Sequence, residues 1–210
     1  MRLVPHCVLL MTLFIGAPAC AQLNPALRQE LLEMRELDQR RGTLRALEEQ
    51  HGHTSAEYNA ALEEQRAIDA ANLQRLDQIV TEFGWPTISL VGAGGAESAF
   101  LIVQHALLDG QKRYLPYLEA AVRDGEARGK HLAMLQDRIL MWEGKKNIYG
   151  TQLRRNDDTG EWFLWPIENE GEVDARRAAI GMVPLAEELA SYPFPVTPMP
   201  EGFELTPFTP

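Results

Sequence analysis

The stretch that decides the fold is AESAFLIVQHALLD, residues 96–109, because it is apolar on nearly every side. A helix of this kind is covered all round by other elements, so the pattern predicts a central helix over this range. Gln104, His105 and Asp109 are its polar exceptions near the C-terminal end. Polar groups in a buried helix need hydrogen-bonding partners or a ligand, so this end of the helix is the first place to look for a site.

Two amphipathic helices are predicted before the central helix. Leucines recur at helical spacing over residues 24–50, and a second apolar stripe runs over residues 54–83. A glycine-rich segment, residues 91–95, is predicted to be a flexible turn between the second helix and the central one. Its glycine spacing matches neither the dinucleotide-binding nor the P-loop pattern.

The stripe of the second amphipathic helix is interrupted by three polar side chains, Gln65, Asp69 and Asn72. Two interpretations are open. The stripe narrows there and the three side chains face solvent, or they belong to a binding site.

After the central helix, two further helices are predicted at residues 114–123 and 130–142, bounded by glycines. The pattern then alternates, which predicts a β-hairpin at about residues 147–167. Two short helices and a tail with six prolines from Pro193 onward follow. The chain is therefore predicted to be mainly α-helical, with about five major helices, one β-hairpin and a proline-rich tail.

Residues 1–21 have the three parts of a secretory signal: a charged start at Arg2, an apolar core over residues 8–15 and small residues at 19–21. That core is shorter than the roughly 20 residues that a membrane-spanning helix needs. We therefore expect a secreted or periplasmic protein without an integral membrane span. The predicted organisation is a signal peptide, a single helical domain over residues 22–192 and an extended tail over residues 193–210.

Two cleavage sites are compatible with this signal. Cleavage after Ala21 fits the rule for small residues and is favoured, whereas cleavage after Ala19 would leave Cys20 free for attachment of a lipid anchor. Cys7 and Cys20 are the two cysteines of the chain. The mature protein is thus expected to have no disulfide and no cysteine nucleophile.

The net charge of the chain argues against nucleic acid as a partner, and the spacing of its metal-ligating residue types argues against a metal site. Loss of Arg2 with the signal leaves 19 basic residues against 30 acidic ones. Nucleic acid is an unsuitable partner for this balance, since neutralisation of phosphates needs a basic surface. No recognised pattern of metal-ligating residues is present, so neither a metal nor another cofactor is predicted.

His105, Asp109 and Asp137 are the catalytic candidates if the protein is an enzyme. Asp109 lies four residues after His105, so on one helix its carboxylate could orient the imidazole ring. An oriented histidine is a candidate general base. The alternative is a core histidine that hydrogen bonds with its neighbours.

A second set of polar residues lies in or beside segments with a buried pattern, and its members suit the binding of a small polar or anionic ligand. Arg138 could hold a carboxylate or phosphate through two hydrogen bonds, although an ion pair within the protein explains it equally well. The candidate ligand-binding residues are Gln104, Arg138, Tyr149, Gln152, Asp69, Asn72 and Arg176.

Short blocks of residues follow one another in a fixed order along the chain. They are Gly84-Trp85-Pro86, Val91-Gly92, Gln104-His105-Ala106, Gly125-Glu126, Asp137-Arg138, Tyr149-Gly150-Thr151-Gln152 and Asp174-x-Arg176-Arg177, with Asp69-x-x-Asn72 as a further similar block. This ordered series resembles an uncharacterised bacterial family, domain of unknown function 6624, over roughly residues 60–190. Leu107 stands where that family usually has an acidic residue, and Asn147 stands where a glutamine is common. The resemblance implies no known activity.

Three functional hypotheses follow. The first is an exported protein that binds a small polar or anionic ligand at the His/Asp/Arg/Tyr/Gln cluster. The second is a hydrolase that uses His105 as general base. The third is a purely structural or envelope-interaction protein, in which these polar groups would satisfy one another without a cavity.

Overall fold

The computed structural model describes residues 23–156, 159–200 and 202–207. Within these ranges the chain is mainly α-helical, as the sequence predicts, and it has a small three-stranded sheet that contains the predicted hairpin. The predicted export signal, with Cys7 and Cys20, lies outside the described residues. Across the described ranges, none of the helices has both the length and the apolar character needed to cross a membrane.

The first amphipathic segment forms two helices rather than the single one predicted: α1 (Pro25–Asp38) and α2 (Arg41–His51). The side chain of Asn24 caps α1 by accepting a hydrogen bond from the amide of Leu27 at 3.0 Å. Helix α1 packs mainly against α4, whereas α2 packs against α3. Leucine spacing is helical on both sides of the break, so periodicity alone did not reveal the change of direction.

Helix α3 (Ala56–Phe83) is capped by Ser55, and α4 (Ile88–His105) is capped by Thr87. The prediction of a flexible turn at residues 91–95 is wrong, because this segment lies inside α4 with one kink at Gly92, where φ is 71°. A Cβ atom at Gly95 would lie 2.7 Å from the Cβ of Val91, so the glycine here allows close packing.

Helix α4 ends at His105, four residues earlier than predicted, because Ala106 has an extended backbone. Helices α5 (Leu108–Arg123) and α6 (Gly129–Trp142) follow. Helix α4 contacts α1, α3, α5 and α6, so it is central as predicted. The main hydrophobic core is built around it by side chains that include Leu31, Leu76, Ile79, Val91, Phe100, Val103, Leu118 and Leu135.

The predicted hairpin is present as the antiparallel strands β1 (Leu153–Arg155) and β2 (Trp162–Leu164). A third strand, β3 (Val196–Pro198), comes from the proline-rich tail and pairs in parallel with β2. Helices α7 (Val173–Ala179) and α8 (Leu185–Ala190) lie between β2 and β3 and match the two short helices predicted there. A single 3-10 turn, Glu170–Glu172, precedes α7.

Candidate functional site

His105 and Asp38 form a hydrogen-bonded pair where α4 and α1 end. The amide of Asn24 donates to the carbonyl of Leu90 at 2.7 Å, so the two helices start side by side and their C-terminal residues meet. His105 Nδ1 lies 2.7 Å from Asp38 Oδ1. The Asp38 side chain is 1 % exposed and the His105 side chain is 18 % exposed, so the carboxylate is the inner member of the pair.

Three further side chains extend this pair into a polar network. Arg41 Nε lies 3.8 Å from Asp38 Oδ1, and the Arg41 guanidinium also binds Asp69. Gln65 Nε2 donates to Asp69 Oδ1 at 3.1 Å and to the backbone carbonyl of Asp38 at 3.3 Å. We call these residues, Asp38, Arg41, Gln65, Asp69 and His105, the His105 cluster. Its contacts join α1, α2, α3 and α4.

The contact with Asp38 determines what His105 can do chemically. In the neutral ring, a proton on Nδ1 that is donated to the Asp38 carboxylate leaves Nε2 as a hydrogen-bond acceptor. Nε2 has no partner among the described residues. His105 therefore has one fixed nitrogen and one nitrogen available to a ligand or a water molecule.

A cleft of about 490 Å³ opens beside the cluster, between α3 and the connection from α4 to α5. Its volume is in the range of small-molecule sites. Most of its surface is apolar, and its polar groups come from three side chains, so it suits a ligand with an apolar part and a few hydrogen-bonding groups. Leu107, 67 % exposed, belongs to its wall. The lining residues are Arg66, Asp69, Ala70, Leu73, His105, Ala106 and Leu107.

Asp109 does not orient His105 as the sequence predicted. Because α4 ends at His105 and α5 begins at Leu108, the two residues do not share a helix, and Asp109 is exposed. The carboxylate that contacts His105 is that of Asp38, 67 positions away in the sequence.

Asp137 anchors the segment that leads into β1. Its side chain is fully buried and accepts hydrogen bonds from the amides of Ile148, Tyr149 and Thr151 at 2.7–3.2 Å and from the Thr151 hydroxyl at 3.0 Å. Burial raises the pKa of Asp137, while these four donors act to lower it. Its carboxylate is thus occupied by the fold, and Asp137 is not part of the cleft lining.

Three other predicted ligand-binding residues are bonded mainly to the backbone. Gln152 donates to the Met134 carbonyl at 3.2 Å, and Asn72 donates to the Met34 carbonyl at 3.1 Å. Arg176 donates to the carbonyls of Ile148 and Glu168, at 2.9 and 2.7 Å. These contacts hold α1, α6 and α7 to their neighbours.

Tyr149 is half-buried, and desolvation raises the pKa of its phenol. Its backbone amide binds Asp137, and its carbonyl accepts a hydrogen bond from Arg177 at 2.8 Å. Neither Tyr149 nor Arg176 lines the cleft at His105. Of the predicted site residues, the structure brings only His105 and Asp69 together at this cleft.

Arg138 and Gln104 differ from the other predicted residues because they lack partners. Arg138 forms no hydrogen bond or ion pair with the described residues, and its Nε atom is buried. Burial, together with the nearby charge of Arg41, lowers the pKa of Arg138 to about 10. The guanidinium is therefore still positive at neutral pH. Gln104 is 1 % exposed, and both polar atoms of its side-chain amide lack a partner within the described ranges.

Asp38, Arg41 and Arg66 were missed by the sequence interpretation. Asp38 could have been found, since it follows Leu27, Leu31 and Met34 at spacings of four, three and four residues on the buried face of α1. A carboxylate at such a position requires a partner. Nothing in the local sequence indicates that the partner is His105.

Within the described part of the chain, no group of three or more His, Cys, Asp or Glu side chains has an arrangement that could hold a metal ion.

A family model described as a family of unknown function, DUF6624, matches residues 25–192. Comparison with curated proteins gave no match, and neither did comparison with solved structures. The matched range contains the whole His105 cluster and the hairpin.

Proposed function

Since this chain belongs to DUF6624, a family of unknown function, we propose its function from the site itself: it is an exported protein that binds a small polar or anionic molecule in the cleft at His105. The observation that carries the proposal is the His105–Asp38 pair at the cleft wall, 2.7 Å between Nδ1 and Oδ1. A buried carboxylate holds the ring in one orientation, so Nε2 is preorganised to accept a hydrogen bond from a ligand.

The other groups of the lining define which ligands fit. Leu73, Ala106 and Leu107 offer apolar contact, and Arg66 offers a positive charge that is paired with the exposed Glu63 at 2.7 Å. The Asp69 carboxylate is held by Arg41 and Gln65. A molecule with an apolar body and a hydrogen-bond donor for Nε2 uses the apolar wall and His105. An anionic substituent would meet Arg66 at the exposed side of the cleft.

Filling the cleft tests the proposal directly. Ala70 lies on the exposed face of α3 and lines the cleft, so Ala70→Phe should occupy it without disturbing the core. Ala67, three residues earlier and also exposed, is not part of the lining, so Ala67→Phe is the matched control. Fragments from a small-molecule library are screened by their effect on the NMR signal of the His105 ring.

We expect at least one fragment to shift the His105 signal in a saturable way in the natural protein and in the Ala67→Phe protein, but not in the Ala70→Phe protein. Fragments that bind all three proteins equally would place binding elsewhere. A full screen without any effect on His105 would contradict the proposal and favour a purely structural or envelope-interaction role.

A second candidate is hydrolysis with His105 as general base, which the same pair favours. A histidine held by a carboxylate can take a proton from water at Nε2. None of the seven lining residues has a hydroxyl or thiol group, so the base would activate water rather than a side-chain nucleophile. Chromogenic carboxylic and phosphoric esters test this candidate. Turnover that falls at least about 100-fold in His105→Gln supports it, and turnover that survives the substitution refutes it.

A further inference from the structure

Arg138 is a cation without a counter-ion in the described part of the chain. The carboxylates of the His105 cluster and of the residue before Arg138 already have partners: Asp38 contacts His105, Asp69 binds Arg41, and Asp137 accepts hydrogen bonds from the backbone. A partly buried guanidinium lacks the hydration that an exposed one retains, and a protein normally supplies a carboxylate in its place. Among the described residues Arg138 has no such carboxylate, so an external anion would supply the missing charge.

Several contacts locate Arg138 near the His105 cluster. Lys112 Nζ lies 2.5 Å from Glu143 Oε1, which holds the start of α5 at the end of α6. Because α5 begins three residues after His105, the end of α4 also lies near the C-terminal part of α6, which carries Arg138. Arg41, a member of the cluster, is close enough for its charge to act on Arg138.

Gln104 provides a second and independent observation at the same end of α4. Its side chain is 1 % exposed, and neither its Nε2 nor its Oε1 has a partner in the part of the chain that the structure describes. Buried amides without partners are rare in folded proteins and mark places where a ligand or an ordered water molecule completes the hydrogen bonding. An amide N–H group is a suitable neutral donor to an oxyanion, beside the charged donors of an arginine.

We propose that Arg138, assisted by Gln104, forms an oxyanion subsite beside the His105 cluster, which binds a carboxylate or phosphate group. This inference rests on the proposed ligand site and adds the charge of the ligand to it. Arg138 is only partly exposed, so the subsite selects a compact anionic group.

NMR of protein labelled with [¹⁵N]arginine tests this subsite, because the Nε–Hε group of each arginine gives its own signal. Arg138→Lys assigns the signal of interest. Arg123→Lys assigns that of a control arginine, which is 74 % exposed and paired with Asp124. Sodium phosphate and sodium acetate are titrated separately into the purified protein at constant ionic strength, with sodium chloride as the reference salt.

We expect the Arg138 signal to shift in a saturable way with phosphate, acetate or both. The Arg123 signal should shift no more in these salts than it does in sodium chloride. Saturation by phosphate alone assigns a phosphate group to the ligand, and saturation by acetate alone assigns a carboxylate. A shift of Arg138 that is linear, or equal to that in chloride, overturns the inference. If Arg138→Lys fails to fold, triple-resonance experiments on the natural protein assign the Arg138 Nε–Hε signal, so the titrations decide the question without the variant.

The Ala70→Phe protein separates this inference from the proposed function. If fragments bind at His105 but no anion saturates Arg138, only the oxyanion subsite is refuted. If an anion saturates Arg138 in both the natural and the Ala70→Phe proteins while no fragment reaches His105, the subsite stands and the cleft proposal is refuted.

Discussion

His131 should make the protein less stable as the pH falls from 7 to 5. Its ring stacks on Phe100 with 4.2 Å between the ring centroids and 1° between their planes, and the residue is 7 % exposed. Burial lowers the pKa of His131 from 6.5 to about 4, an effect to which Arg128 and Lys130 add and which Glu97 opposes. The folded protein therefore holds this ring neutral where the unfolded chain protonates it.

The sign and size of the effect follow from proton linkage. Between pH 6.5 and about pH 4 the unfolded chain binds more protons at this residue, so the free energy of unfolding falls as the pH falls. One pH unit of pKa difference corresponds to about 1.4 kcal/mol. The full difference is thus about 3 kcal/mol below pH 4, and the part lost between pH 7 and pH 5 is about 2 kcal/mol.

Urea denaturation at pH 7 and pH 5 measures this loss. His131→Phe keeps an aromatic ring against Phe100 and removes the titrating group, so its loss of stability should be smaller by about 2 kcal/mol. The matched control is His53→Gln, which changes an exposed histidine. It should lose as much stability as the natural protein. Equal losses in the natural and His131→Phe proteins would refute the argument.

Three further predictions concern the site and the N-terminus. Asp38→Ala removes the partner of His105 Nδ1 and should lower the free energy of unfolding by about 1–3 kcal/mol in urea denaturation, with loss of fragment binding at His105; unchanged stability would show that the pair is not formed. Asp137→Ala leaves buried amides before β1 without an acceptor, so hydrogen exchange should accelerate at residues 148–151 while α3 is unaffected; uniform acceleration would instead indicate global unfolding. Mass spectrometry of the exported protein should find Gln22 as the first residue, and a lipid-modified Cys20 would establish the alternative cleavage.

Helix α4 and the hairpin could be predicted because their signals are local. An almost wholly apolar stretch with a few polar residues is enough to identify a central helix. Alternation around a polar turn is enough to identify β1 and β2. Strand β3 was not predicted, because three residues of a proline-rich segment become a strand only when β2 lies beside them.

The sequence also identified the polar residues that require explanation, but not which of them meet. Asp137, Gln152 and Arg176 were grouped with His105, and the structure shows that they bind backbone groups around the hairpin. Residue type alone does not distinguish a carboxylate that accepts hydrogen bonds from backbone amides from one that orients a histidine.

By itself the sequence determined the helical class, the central position of α4 and the presence of polar residues, His105 among them, in an otherwise apolar segment, since these depend on residue type and spacing within one segment. Tertiary structure alone decided that Asp38 is the partner of His105 and that Arg138 has no partner among the described residues. The reason is physical: helices α1 and α4 run side by side from Asn24 and Leu90 to their ends, and this packing brings together residues that are 67 positions apart. A hydrogen bond depends on the distance between two atoms in space, and a local sequence pattern does not contain that distance.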